Sequence, residues 1–348
     1  MTKLVLGAIR ETYRLKFFRT AYFCTQPERA CDTNLGKVVN VAIIGAPNAG
    51  KSTLINKIIE RKICAASSKV QTTTKLMRAM CYQNNTQIVF LDTPGVITTK
   101  EKRKYNLPDS MMEACHKSLR VANVIGVIHD ASNRYLAETL HSDVIKLLKS
   151  FDDIPSFLII NKIDVIKNKH RLLQLIKTLT NGYIAGNPVP NSEPSKKKTN
   201  KKGDSGYNKF SDVFLISALN GDGVHDIKEY LLSNAKPARF QYSPEVWTDQ
   251  LPESLIEEAV RAQFLNTLPQ DIPYLLKYQL EYFEENQERI ICSVSVECPS
   301  ERLAKLIAGA GGGRLNIIKS ELKKDLLDLF KKIVSIDIIL RVTKKSTE

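Results

Sequence analysis

No run of apolar residues in this chain approaches the roughly 20 that a helix needs to cross a bilayer, so the sequence offers no candidate for a membrane-spanning helix. Cysteine is scarce and scattered. The seven present (Cys24, Cys31, Cys64, Cys81, Cys115, Cys292 and Cys298) contain no C-x-x-C pair, and their odd number argues against a disulfide framework and for a reducing compartment. Nothing clusters them with the five histidines, which argues against zinc. Acidic residues are also short: 37 Asp and Glu stand against 51 Lys and Arg, a net +14. Such a balance favours an anionic partner, either nucleic acid or an anionic membrane surface, although a basic loop that binds nothing would give the same count.

What is present suffices for real cores. Hydrophobic residues make up 43% of the 348, and that length suggests about two domains. The first 30 residues carry Lys3, Arg10, Arg14, Lys16, Arg19 and Arg29 against only Glu11 and Glu28, interleaved with Leu4, Val5, Ile9, Tyr13, Leu15, Phe17 and Phe18. A basic, acid-poor, amphipathic leader of this kind, taken as residues 1–34, reads as an organelle transit peptide; an ordinary first helix is the alternative.

From residue 35 to 236 strand-like and helix-like patterns alternate. Val38–Ile44 is a nearly continuous β-branched run, and Ala49–Glu60 has helical spacing. Met77–Tyr82 and Gln87–Leu91 read as strands joined by an Asn84-Asn85 turn, followed by strands at Asn123–His129, Ser156–Ile160 and Val213–Ile216. Helical patterns fall between them at Leu107–Val121, Tyr135–Phe151, Asn168–Thr180 and Val224–Ser233. Alternation of this kind predicts an α/β domain with a mostly parallel sheet and helices on both faces, whose ligands lie at the carboxyl ends of the strands. Residues 186–209 interrupt it: rich in Pro, Ser, Asn, Gly and Lys, they read as a disordered basic insertion. Residues 237–253, with Pro237, Pro244, Pro252 and the single Trp247, read as a linker. Beyond it, 254–348 reads as a small α+β unit: a helix from Ser254 to Leu268, strands at Tyr274–Phe283 and Arg289–Glu297, a helix–glycine loop–helix pattern from Glu301 to Phe330, and a strand at Ile333–Val342. Residues 299–348 hold 11 Lys and Arg and 6 Asp and Glu.

The chemistry-bearing motifs sit at strand ends. Gly45-Ala46-Pro47-Asn48-Ala49-Gly50-Lys51-Ser52 fits the P-loop pattern G-x-x-x-x-G-K-[ST], with a strand before it and a helix after it. Its glycines let the backbone wrap a phosphate, its N–H groups face the anion, Lys51 neutralises charge and Ser52 supplies a hydroxyl for Mg²⁺. Asp92-Thr93-Pro94-Gly95 follows the next strand; Asp92 is placed to hold Mg²⁺, and Gly95 lets an N–H approach the terminal phosphate. Asn161-Lys162-Ile163-Asp164 selects the base: the Asp164 carboxylate can accept from the ring N–H and exocyclic amine of guanine, a donor pair that adenine lacks. In this reading Asn161 ties the loops together, the Lys162 stem covers the base, and Ser217-Ala218 gives a backbone N–H to the guanine oxygen. Val96 stands where a glutamine would orient water, which implies slow unaided hydrolysis.

With these motifs in hand, the sequence resembles the Era family of translation-factor-related GTPases. Ser68-Lys69-Val70-Gln71-Thr72-Thr73 resembles that family's switch I motif, which implies that Thr73, among Thr72, Thr73 and Thr74, closes onto Mg²⁺; Thr74 stands where the family usually has arginine. The family carries a type II KH domain, an RNA-binding module with a G-x-x-G loop between two helices. Gly309-Ala310-Gly311-Gly312 occupies that place, with Leu315 and Ile318 at helical spacing and the basic Arg314 and Lys319 beyond the loop rather than in it. The resemblance implies a GTPase using GTP, GDP and Mg²⁺ that binds the 3′ region of small-subunit ribosomal RNA and assists small-subunit assembly. Asn48 resembles an asparagine that coordinates K⁺ in related GTPases, which adds K⁺ to the expected cofactors. The leader points to the mitochondrial matrix, with peripheral contact at the inner membrane, and a monomer is expected. Rival readings are action on another RNA (tRNA or large-subunit rRNA) with negligible hydrolysis, and a GTPase acting at a membrane.

Overall fold

A computed structural model describes residues 35–64, 77–93, 95, 110–132, 138–189, 206–269 and 272–343. Among the described residues a seven-stranded sheet dominates the first half. Its path is β2 (Met77–Gln83), β3 (Thr86–Asp92), β1 (Gly36–Ile44), β4 (Val124–Asp130), β5 (Ser156–Asn161) and β8 (Phe210–Leu215). All these pairings are parallel except the β2–β3 hairpin. Its turn holds Asn84 and Asn85 at φ 50° and 54°, the doubly left-handed geometry whose twist suits a two-residue hairpin and that asparagine tolerates. β1 is central and covered on both sides, which is why its sequence is an almost unbroken apolar run.

Strand period splits β1 between two cores. Ala42 and Ile44 face Cys115 and Leu119 of α2 (Ser110–Val121), Val144 and Leu148 of α3 (Ser142–Ser150), and Leu175 and Leu179 of α4 (Lys169–Leu179). Val39, Val41 and Ile43 face Leu54, Ile55 and Ile58 of α1 (Lys51–Ile59) and Ile227 and Leu231 of α5 (Val224–Ser233). The second core continues without a break into the C-terminal unit, through Leu255, Ile256, Val260 and Phe264 of α6 (Pro252–Thr267).

The C-terminal unit follows the order α6, β10 (Lys277–Glu285), β11 (Arg289–Cys298), α7 (Glu301–Ala308), α8 (Gly313–Phe330) and β12 (Ile333–Val342). β10 pairs antiparallel and β12 parallel with β11, so the two ends of the α7–loop–α8 unit enter and leave the same sheet. This is the α+β arrangement expected of a type II KH domain.

Several boundaries differ from the sequence reading, each for a local reason. Residues 272–275 form a 3₁₀ turn rather than the start of a strand; Pro273 has no N–H to give to a ladder, and β10 begins at Lys277. The helix placed at Tyr135–Phe151 begins at Ser142 among the described residues, 133–137 lying outside them. The interior of the basic insertion, 190–205, lies outside the described residues, but its flanks are built into the domain. Tyr183–Ile184 and Asn187–Pro188 form a small hairpin (β6 and β7). Tyr207 is buried against Phe210 and donates to Asp152 at 2.7 Å, and Lys209 pairs with the same carboxylate. Residues read as a linker are a strap: Lys236–Ala238 (β9) pairs antiparallel with Gly36–Val38, and α6 starts at Pro252 rather than Ser254 because proline suits the first helical turn.

Candidate nucleotide site and nucleic-acid loop

The strands β1, β3, β5 and β8 deliver their motif loops to one end of the sheet. At the end of β1 the P-loop turns tightly enough that a Cβ on Gly45 would lie 2.3 Å from the Ile128 carbonyl oxygen. The Lys51 ammonium is buried and donates to the carbonyl oxygens of Gly45 at 3.2 Å and Ala46 at 3.0 Å. Desolvation pulls its pKa below the ordinary lysine value, with the negative field of Asp92 acting the other way. A buried cation at a helix N-terminus, ringed by a loop built on glycine, is a site for an anion. Asn48, at the exposed tip, is held at a left-handed φ of 60°.

Beside Lys51, the Ser52 hydroxyl donates to Asp92 Oδ2 at 3.2 Å. An aliphatic hydroxyl and a carboxylate at this separation form a hard-oxygen donor set, which fits Mg²⁺ rather than a softer metal. Thr93 turns its hydroxyl away from this pair, to the Ile43 carbonyl at 2.8 Å, and locks the end of β3 to β1. A Cβ on Gly95 would meet Pro47 Cα at 3.0 Å, so that the two loops are in close approach. Thr73, Pro94 and Val96 lie outside the described residues.

Asn161, at the end of β5, joins the phosphate and base loops as its motif predicted. Its Nδ2 donates to the Ala49 carbonyl at 2.8 Å and its Oδ1 accepts from Ala218 N–H at 2.9 Å, both bonds buried. Gly50, at φ 103°, has to be glycine because a Cβ there would lie 2.2 Å from that same Nδ2. Asp164 stands exposed in the short 3₁₀ turn Ile163–Val165, anchored by the Ile163 N–H to the Ile216 carbonyl at 3.2 Å. Two details depart from expectation. The Lys162 ammonium pairs with Asp130 at 2.6 Å, so that the stem is tethered at its far end. The N–H groups of Ser217 and Ala218 are both engaged within the protein, Ser217 with the Asp222 carbonyl at 3.0 Å and Ala218 with Asn161. A guanine oxygen would therefore share the Ala218 donor rather than receive it outright.

In the C-terminal unit, Gly309, Gly311 and Gly312 hold φ of 75°, 57° and 76°, and open space surrounds Gly311 and Gly312. Gly311 is exposed and Gly312 partly so at the N-terminus of α8, the geometry that lets a nucleic-acid backbone approach closely.

The comparisons with known proteins agree with this layout. A family profile described as "50S ribosome-binding GTPase" matches residues 40–162. The mitochondrial GTPase Era of Danio rerio is 33% identical over 350 residues, covering 92% of this chain and 77% of that protein. That of Salmo salar is 31% identical over 91% of this chain and 78% of its own. The chain belongs to the Era GTPase family. A crystal structure of Era in complex with MgGDPNP and nucleotides 1506–1542 of 16S ribosomal RNA superposes with a TM-score of 0.70, covering 89% of this chain and 95% of that one at 23% identity, which supports the two-domain Era fold.

Within this Era fold, two basic residues singled out for RNA are turned to protein partners. Arg314 donates to the Leu306 carbonyl at 2.6 Å, closing the C-terminal end of α7, and Lys319 reaches Asp337 on β12 at 2.5 Å. Sequence reasoning also missed residues that build the site. Asn56 clamps Cys64 through two 2.7 Å bonds. Asp130, itself held by Ser132, holds Lys162. No motif marks them; the one available signal was an acid ending the strand beside the Asn161 motif.

Proposed function

We propose that this Era-family chain is a GTP-hydrolysing RNA-binding switch that assists assembly of the mitochondrial small ribosomal subunit. The observation that carries the nucleotide half is the Asn161 bridge, which makes the P-loop and the base loop one site. Gly45 to Ser52 take the phosphates, and Gly95 faces the terminal one. Ser52 and Asp92, with Thr73, hold Mg²⁺, which supplies charge neutralisation at the phosphates. Asp164 reads guanine, Lys162 lies along the base, and Ala218 shares its N–H with the guanine oxygen. Slow hydrolysis, for which Val96 is the sequence argument, and help from K⁺ at Asn48 belong to the same reading.

The RNA half rests on the exposed glycine loop and on the Era relative whose structure contains the 16S fragment. With Arg314 and Lys319 each bonded to a protein partner at the surface, the loop backbone rather than side-chain charge makes the first contact. The relatives' names place the protein in mitochondria, and the leader fits that address. Among the described residues no helix is long and apolar enough to cross a membrane. The inner-membrane contact in this reading is a peripheral one on the matrix side. A monomer suffices for every site named.

RNA crosslinking and sequencing from purified mitochondria tests the whole reading. Enrichment of the 3′ region of small-subunit rRNA is expected. Enrichment of tRNA or large-subunit rRNA instead would overturn it. Lys51→Ala, which removes the buried phosphate cation, should abolish GTP turnover.

A further inference from the structure

Asp130 ends β4 at the register position paired with Asn161, and both of its carboxylate oxygens are engaged. Oδ1 accepts from the Ser132 N–H at 2.8 Å and the Ser132 hydroxyl at 2.6 Å, while Oδ2 accepts from the Lys162 ammonium at 2.6 Å. Joining β4 to β5 does not require this pair. The two strands are already in ladder register from Ile125–Ser156 to Asp130–Asn161, and the Ala131 N–H donates to the Asn161 carbonyl at 3.1 Å. What the pair does fix is the far end of a lysine side chain. An unrestrained lysine stem loses much rotamer freedom when laid against a ligand, and a tether formed beforehand removes most of that loss. The lysine backbone is itself held left-handed at φ 64°, so both ends of the stem are set. The carboxylate is half-buried. Burial works against its charge, but the hydrogen bonds from Lys162 and Ser132 outweigh that and hold the carboxyl below its ordinary pKa. It is therefore ionised, and able to hold the ammonium, at neutral pH.

We propose that Asp130, oriented by Ser132, is a positioning residue for guanine-nucleotide binding, holding the Lys162 stem extended where the base is laid. The proposal rests on the reading that Lys162 covers the base.

Equilibrium titration of the full chain with fluorescent GDP tests it, using wild type, Asp130→Asn, Ser132→Ala, Lys162→Ala and the Asp130→Asn/Lys162→Ala double variant. Competition with IDP, which lacks the exocyclic amine read by Asp164, gives a base-selectivity ratio. Asp130→Asn should weaken GDP binding about tenfold and Ser132→Ala about threefold. The double variant should bind no more weakly than Lys162→Ala alone, and the GDP:IDP ratio of Asp130→Asn should match wild type. The proposal is overturned if Lys162→Ala weakens binding but Asp130→Asn and Ser132→Ala do not. It is overturned equally if the two losses multiply in the double variant, or if Asp130→Asn changes the GDP:IDP ratio, since a merely structural role would disturb Asp164 as well. If Lys162→Ala binds GDP as tightly as wild type, the underlying reading of Lys162 fails, and the proposal with it.

Discussion

Replacing Asn161 by alanine should dismantle the nucleotide site, and the structure sets the size of the effect. The side chain makes two buried hydrogen bonds, to the Ala49 carbonyl at 2.8 Å and from the Ala218 N–H at 2.9 Å. Asn161→Ala would leave one acceptor and one donor in the interior with no side chain to meet them. A buried polar group that loses its partner costs about 1–3 kcal/mol, so the pair amounts to roughly 2–6 kcal/mol. That range is a large share of the roughly 5–15 kcal/mol that holds a typical domain folded. Even its lower end, if expressed as disorder of the two loops in the free protein, weakens GDP about 30-fold, since about 1.4 kcal/mol is a factor of ten. Gly50→Ala approaches the same bond from the other side, with a Cβ placed 2.2 Å from Asn161 Nδ2 at a φ of 103°. It should therefore weaken GDP by a comparable factor, and because the two variants disrupt one shared bond their losses should combine less than additively. GDP titration at fixed Mg²⁺, with thermal melts of each variant, measures both quantities. Binding by Asn161→Ala within threefold of wild type would refute the reasoning, as would full additivity in the double variant.

Three further outcomes are expected. GTP turnover should be faster in KCl than in equimolar NaCl, and Asn48→Ala should remove the difference; equal rates for wild type in the two salts would dispose of the K⁺ reading. Gly312→Asp puts an L-residue at φ 76° and a negative charge at the exposed loop, so RNA affinity in a filter-binding assay should fall at least about tenfold while GDP affinity stays unchanged. The hydrogen bond from Lys319 is the largest influence on Asp337 and holds its carboxyl below the ordinary carboxylate value. A depressed folded-state pKa gives stability that is present above the unfolded value and lost as pH falls through the folded one. Melting temperature should therefore decline more steeply below about pH 4 in wild type than in Lys319→Met, which a pH series of melts would show.

The parts of the fold that were legible in the sequence are those whose cause is local. β1 is covered on both faces, so its burial appears as a continuous apolar run. The Asn84-Asn85 turn and Gly50 announce backbone geometries that few other residues adopt, and Gly45 a close approach that leaves no room for a Cβ. The motif residues could be read because their spacing along the chain fixes their chemistry. Asp130 could not, because its meaning depends on a parallel register that brings it beside Asn161 from another strand. Arg314 and Lys319 show what such a reading leaves out: a count of basic residues registers charge but not the Leu306 carbonyl and Asp337 that these side chains meet at the surface.

The strap from 236 to 251 shows why composition misled most there. Two prolines and no periodicity suggest a loose tether, yet β2 is the edge of the large sheet and its backbone groups need partners. The strap provides them. Met80 N–H donates to the Trp247 carbonyl at 2.9 Å, Thr248 pairs with Ala79, and the Arg78 N–H donates to Asp249 at 3.0 Å. The buried Gln87 side chain adds bonds to Gln241 and Tyr242. Trp247 then carries the connection across. Arg61 lies 5.3 Å over its ring, and the ring meets Phe330 of α8 edge-on at 6.3 Å. Arg61 also donates to the Leu329 carbonyl at 3.1 Å, and Lys62 pairs with Asp325 at 2.5 Å. Both of these cations follow α1 directly, and Lys51 and Ser52 open that same helix. Nine residues at about 1.5 Å each put the phosphate end and the KH-facing end roughly 14 Å apart on one rigid rod. The route from nucleotide to RNA module thus runs through packed helix and paired edge, and a change of orientation between the two units has to break the Arg61, Lys62 and Trp247 contacts rather than bend a free linker.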